Sequence, residues 1–122
     1  MAKHLDIGNA GEAAVVEYLR AAGCTVLETN WRHGRAELDV IAKENDTLIF
    51  VEVKTRSSNF SAPQASVTPH KQKLLTKAAQ GYMRIIKHDW DFRFDVFAVH
   101  YVNENDIRIE HLKDAFFPGI QY

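Results

Sequence analysis

Hydrophobic and polar positions follow two periods along this chain, one helical and one extended, and the places where the period changes divide it into seven elements. From Asn9, with Glu12 three residues on, apolar residues recur at helical spacing to Arg20 or beyond, and Gly23 is placed to stop that helix. Residues 25–27 form a short strand candidate, followed over 31–35 by a polar loop holding Arg32, His33, Gly34 and Arg35. Two β-rich runs, 36–42 and 47–55, are separated only by Lys43, Glu44, Asn45 and Asp46, which predicts an antiparallel hairpin. Residues 56–68, rich in Ser and Asn and containing Pro63, have no period and predict a long connection of the kind that often carries function. Thr68 as N-cap and Pro69 as the first helical residue launch a second helix to about residue 88. Its core stripe reads Leu74, Leu75, Ala78, Ala79, Tyr82, Ile85 and Ile86, with Lys73, Lys77, Gln80, Arg84 and Lys87 on the other side. Runs 92–101 and 107–112, around the polar turn 103–106, complete the chain as strands. The order α, β, β, β, α, β, β predicts an α/β (α+β) domain with a central mixed sheet flanked by helices.

The 122 residues suit one domain, 1–122, able to bury a single core without disulfide or metal staples. The one cysteine, Cys24, has no intramolecular partner, and no apolar run is long enough for a membrane span or a signal-peptide core, so the chain reads as cytoplasmic and not membrane-bound. Cys24 and the six histidines show no zinc-ligand spacing, and neither a Gly-rich phosphate loop nor a Ser-His-Asp order stands out. Net charge is only −1, but its distribution is uneven. Seven Lys or Arg and no Asp or Glu lie between Lys54 and His88, which leaves 8 basic and 16 acidic residues elsewhere. That segregation suits a binder of phosphate backbone, and equally a solvated helix face.

The acidic half concentrates the chemistry. Along the run 48–54 strand alternation sets Leu48, Phe50, Glu52 and Lys54 on one face. A four-residue turn pairing Ala42 with Thr47 puts Asp39 opposite Phe50 and diagonal to Glu52, roughly 7–8 Å away between backbones, and Glu37 opposite Glu52. A slip of two residues keeps all of these on one face, because the facing depends on parity alone. Two carboxylates so placed can grip one hard cation such as Mg²⁺. The bland alternative is a charged, solvated ribbon, and a Glu-x-Lys triplet alone is weak. Glu12 strengthens the case: on a helical wheel it falls inside the apolar arc, between Val16 and Leu19, where a carboxylate needs a partner. A capping-box bond with Asn9 is its competing role. Trp31 is expected to pack on the core, and Arg93 with Asp95 to form a structural ion pair.

Taken together, Gly8, Gly11 and Glu12, then Asn30 and Arg32, then Glu37 to Ile41 (ELDVI), Phe50 to Arg56 (FVEVKTR), Pro63, Lys71 and Gln72, and Arg93 to Val96 (RFDV) give the chain a resemblance over nearly its whole length. It resembles the YraN-like family of small bacterial proteins, which look like PD-(D/E)xK endonucleases related in fold to Holliday-junction resolvases. The resemblance implies a restriction-endonuclease-like domain with Asp39 and Glu52 as ligands of Mg²⁺ or Mn²⁺ and Glu12 as a further acidic ligand. It implies that Lys54 orients the attacking water, and that Arg56, Lys71 and Gln72 meet a nucleic-acid substrate, DNA in the first instance. Lys73, Lys77 and Arg32 extend that basic surface. Ala36 stands where the family usually has glycine, as do Ser61 and Ala62 ahead of Pro63. Resolvase-like enzymes commonly act as two-fold dimers, so a homodimer is also implied, with Phe116 and Phe117 as interface candidates if exposed.

The expectation is therefore a divalent-metal-dependent nuclease acting on DNA, branched DNA included. The competing readings are a nucleic-acid-binding module on the same scaffold that hydrolyses little, and a domain whose basic helix docks an acidic protein.

Overall fold

The protein is described by a computed structural model covering residues 6–57 and 67–116. Its elements run α1 (Asp6–Ala21), β1 (Thr25–His33), β2 (Ala36–Glu44), β3 (Thr47–Arg56), α2 (Pro69–Ile86), β4 (Phe92–Asn103) and β5 (Asp106–Phe116). The predicted order and the mixed sheet are present. The strands line up β1-β2-β3-β4-β5, with β3 and β4 parallel and every other pair antiparallel. Parallel neighbours need a long crossover, and α2 is that crossover. It covers one face of the sheet, and α1 covers the other.

Each face has its own core. Leu38, Ile41, Leu48, Phe50, Phe94 and Val96 pack beneath α2 through Leu75, Ala78, Ala79 and Tyr82. On the opposite face Val40, Ala42, Ile49, Val51, Phe97 and Val99 meet Val15 and Leu19 of α1. A chain buried on both sides of its central strand reads as a continuous apolar run, as in Leu48 to Val51, all at most 1% exposed.

Helix ends follow their local chemistry. Gly23 takes φ +93°, and the amides of Gly23 and Cys24 return to the carbonyls of Arg20 and Leu19 at 3.0 and 2.9 Å, a Schellman closure that a residue with a Cβ would strain. At the other helix the Thr68 hydroxyl accepts from the Lys71 amide at 3.2 Å, with Pro69 following. The N-terminus of α1 departs from the prediction: the helix begins at Asp6, so Asn9 lies inside it and is not its cap.

Several boundaries also differ. β1 extends through Trp31, Arg32 and His33, which had read as loop, because it is an edge strand whose polar residues face outward. The hairpin turn holds two residues, not four: Glu44 pairs with Thr47, and Asn45 takes φ +53°. Ile85 and Ile86 are exposed (67% and 42%), and Thr76 and Met83 take their place on the buried side of α2. Trp31 packs on the core as expected, edge-on to Tyr82 at 5.2 Å. Phe116 stacks on Phe94 at 4.6 Å and is half-buried; Phe117, Ser61, Ala62 and Pro63 lie outside the described residues. The predicted pair of Arg93 with Asp95 is present at 3.0 Å. It belongs to a larger network in which buried Asp95 also accepts from His111 Nε2 at 2.7 Å and from the Asp114 amide at 2.9 Å.

Helix α1 sits tightly on β3. A Cβ added to Gly11 would overlap the Thr55 hydroxyl, and Thr55 is too short to swing clear, whereas nothing lies within 4 Å of the same position on Gly8. Gly11→Ala is therefore expected to lower stability by ~1–3 kcal/mol, and Gly8→Ala to leave it unchanged or raise it by up to ~1 kcal/mol. Urea denaturation of the two variants checks the contrast.

Candidate functional site

The ladder between β2 and β3 runs from Glu44↔Thr47 to Val40↔Val51 and stops. Beyond that point β2 stays with β1, through Leu38↔Trp31, Glu37↔Arg32 and Ala36↔His33. β3 stays with β4, from Glu52↔Val96 to Arg56↔His100. The sheet forks, and Asp39 and Glu52 are the first residues of its two arms. The register differs from the expected one by two residues, so Asp39 and Glu52 each follow the last pair, Val40↔Val51, and Asp39 does not lie opposite Phe50; Glu37 is 3.9 Å from Arg32.

The fork coincides with a break in β2. Leu38 belongs to the core beneath α2 and Val40 to the core beneath α1, although alternation would set both on one face. Parity therefore does not hold through Asp39. Opposite the break Asn30 takes φ +53°, a conformation asparagine tolerates better than most residues. The amide of Val53, released from the ladder, donates to Asp39 Oδ2 at 2.7 Å. A side-chain oxygen thus does the work of the missing strand carbonyl, and it fixes the Asp39 carboxyl in the fork.

Three elements bring further charge to this point. Asp39 is hydrogen-bonded to the Glu52 side chain and feels the charges of Glu52 and Glu12. Burial, then those neighbouring carboxylates, push its carboxyl up to about 8 in spite of the Val53 amide, which acts in the other direction. Glu12 reaches in from α1. Its carboxyl is raised mainly by burial, is held by a hydrogen bond with Asn30 that lowers it, and is raised again by Glu37 and Glu52. The partner its buried position demanded is Asn30, not Asn9. From the first turn of α2, Lys71 Nζ comes within 3.5 Å of Glu52 Oε2. Lys54 follows Glu52 on β3, half-buried and on the same strand face by alternation.

The other predicted residues fall outside the fork. Gln72 donates its amide to the Val67 carbonyl at 2.9 Å and so ties down the entry to α2. Arg56 is exposed and donates to the carbonyl of Thr55. Arg32 pairs with Glu37 across the β1–β2 arm. Lys73 and Lys77 are exposed on α2. Two participants escaped sequence reasoning as site residues. The Val53 amide carries no side-chain signal, and Asn30, although among the residues that carry the resemblance, has no role in the sequence reading.

The donor set suits a hard divalent cation. All the groups are carboxylate oxygens, and the Asp39 carboxyl, raised first by burial and then by Glu52 and Glu12, is one whose ionised form a bound cation would favour. Among the described residues no three His, Cys, Asp or Glu side chains are drawn together closely enough to enclose an ion as they stand. Mg²⁺ keeps several waters and is commonly held by one or two carboxylates, so Asp39 with Glu52 is a sufficient pair.

These features define a small α+β protein with a forked mixed sheet and a carboxylate cluster in the fork. The family model described as "Uncharacterised protein family UPF0102" matches residues 11–99, and the chain belongs to that family, the YraN-like proteins. A UPF0102 protein of Flavobacterium psychrophilum is 46% identical over 118 residues, covering 96% of this chain and 98% of its own length. One from Bacteroides thetaiotaomicron is 43% identical over 122 residues, covering 98% and 99%. One from Thermodesulfovibrio yellowstonii is 39% identical over 114 residues, covering 93% and 97%.

The raised Asp39 carboxyl has a consequence for stability. A carboxyl that holds its proton more tightly when folded stabilises the fold fully only below its unfolded value near 3.9, and that contribution is lost as pH climbs to about 8. Asp39→Asn keeps an acceptor for Val53 and offers Glu52 a donor without the charge. In EDTA at pH 8 the variant is expected to be more stable than the wild type by about 1–3 kcal/mol, several degrees in Tm, with the gap closing as pH falls toward 4. Thermal unfolding of both proteins across that range measures it.

Proposed function

We propose that this protein is a divalent-metal-dependent phosphodiesterase acting on nucleic acid, built on the PD-(D/E)xK plan. The observation that carries the reading is the meeting of the Asp39 and Glu52 carboxyl groups in the fork of the sheet, within reach of the charge of Glu12. A purely structural surface does not concentrate like charge where it is half-buried, because each carboxylate raises the cost of ionising the next.

In this reading Asp39 and Glu52 hold Mg²⁺ or Mn²⁺, and Glu12 supports them directly or through water. A bound Mg²⁺ supplies a more acidic water and stabilises charge on the phosphate. The chain's residues provide the rest. The Val53 amide keeps Asp39 aimed into the fork. The Lys54 ammonium orients the attacking water by donating to it, and Lys71, at the mouth of α2, exchanges Glu52 for a substrate phosphate. Exposed Lys73, Lys77 and Arg56 add attraction for the backbone that is independent of base sequence.

One observation favours the second reading, a nucleic-acid-binding module with little or no hydrolysis. The 3.5 Å pair between Lys71 and Glu52 gives Glu52 a built-in counterion that partly does a metal's electrostatic work. Labelled single-stranded, duplex, flap and four-way-junction DNA, incubated with Mg²⁺ or Mn²⁺, separates the two. The nuclease reading expects cleavage that EDTA abolishes and that Asp39→Asn or Glu52→Gln lowers by about 10²-fold or more, with Lys54→Met lowering the rate while DNA binding persists. Salt-sensitive binding without cleavage by any of the proteins supports the second reading instead.

A further inference from the structure

Away from the fork, the turn joining β1 to β2 lies against the flank of α2 and leaves an open cavity of about 380 Å³. Ala36 and half-buried Leu74 form its floor, and Arg35, Lys77 and Arg84 are exposed around its rim. No Asp or Glu lines it, and none of those three cations forms an ion pair among the described residues. Three like charges around one concavity repel unless an anion is shared between them.

One wall is held in place. The His33 ring stacks on Trp31 with centroids 5.8 Å apart and 10° between planes. It also lies against the helix at Gly81, where an added Cβ would come within 2.7 Å of the ring. Glycine is poor inside a helix, and this one permits the close approach that shapes the cavity. Along α2, Lys73, Lys77, Gln80 and Arg84 fall within an arc of roughly 60°, so the cations follow the helix axis.

We infer that this cavity is a subsite for the sugar-phosphate backbone of a nucleic-acid strand. Arg35, Lys77 and Arg84 share its phosphates, and Leu74 with Ala36 packs under a sugar. The volume is that of a small-ligand pocket, and a nucleotide unit fills it. The inference rests on the proposed function only for the direction of the strand. Lys71 meets Glu52 at the first turn of α2, and Lys77 and Arg84 lie about 9 and 20 Å farther along the axis at ~1.5 Å per residue. With one phosphate per ~3.4 Å of axis on each strand of a B-form duplex, a strand in that geometry leaving the fork reaches the cavity after roughly three to six nucleotides, and a more extended single strand after fewer.

The test is binding in EDTA, with fluorescence anisotropy of a labelled 12-nucleotide single strand read as a function of salt. The double variant Arg35→Ala, Arg84→Ala is expected to bind at least tenfold more weakly. The slope of log affinity against log salt should be shallower by about 1.4, or 0.7 for each lost phosphate contact, and Arg84→Lys alone should retain the wild-type slope. Both side chains are exposed, so the melting temperature should not move; if it does, Lys77→Gln is measured in its place against the same slope criterion. Unchanged affinity and slope overturn the inference. So does a mononucleotide that competes as well as the strand, since the ligand would then be a free nucleotide. Because no metal is present and no cleavage is read, either failure leaves the acidic centre untouched, and a protein that never cleaves DNA but loses slope in the double variant overturns the nuclease reading alone.

Discussion

The parting of β2 from β3 is the constraint on which the rest of the site depends. Inside the ladder the two strands satisfy each other's backbone groups; beyond Val40↔Val51 each keeps its outer neighbour and loses its inner one. Buried amides are rarely left unpaired, and the Asp39 carboxylate answers the one at Val53. The same bond that closes a gap in the sheet thus aims a carboxyl into the fork. Everything nearby is arranged around it: the Asn30 kink on one arm, Glu52 and Lys54 on the other, and the two helices that deliver Glu12 and Lys71.

Holding those carboxylates together works against stability. Asp39 is raised to about 8 chiefly by burial and then by its acidic neighbours, and Glu12 is raised for the same reasons. The fold offsets this with apolar packing on both faces of β3 and with α1 seated so closely on Thr55 that only glycine fits at position 11. A second charged network, around Asp95, resolves in the opposite way. There Arg93, His111 and the Asp114 amide satisfy the buried carboxylate, and no surplus of charge remains to attract a ligand. The contrast between half-buried Asp39 and buried Asp95 is what separates a candidate site from a structural one.

The fold was legible in the sequence where local chemistry decides it. Thr68 and Pro69 set the start of α2, Gly23 closed α1, and the apolar runs marked β2, β3 and β4 as strands, while their order in the sheet came only with the structure. That Glu12, Asp39 and Glu52 lie near one another was legible from patterning and resemblance, but their geometry was not: the register differs by two residues, because the turn at Asn45 and Asp46 holds two residues where four were expected. Strand parity fails in β2, where Leu38 and Val40 enter opposite cores. A break of that kind is set by the divergence of neighbouring strands, which no single stretch of sequence records. The role of Asn30, the basic cavity under the β1–β2 turn and the edge-strand character of β1 were illegible for the same reason.

The central claim is that the fork between Asp39 and Glu52 is where a hard divalent cation binds. Titrating Mn²⁺ into isotope-labelled protein and following paramagnetic broadening of backbone amides tests it directly. Broadening that begins at Asp39, Glu52 and Val53, spares the β4–β5 turn and disappears in Asp39→Asn is the predicted result. Broadening centred elsewhere, or none at millimolar Mn²⁺, would contradict the account.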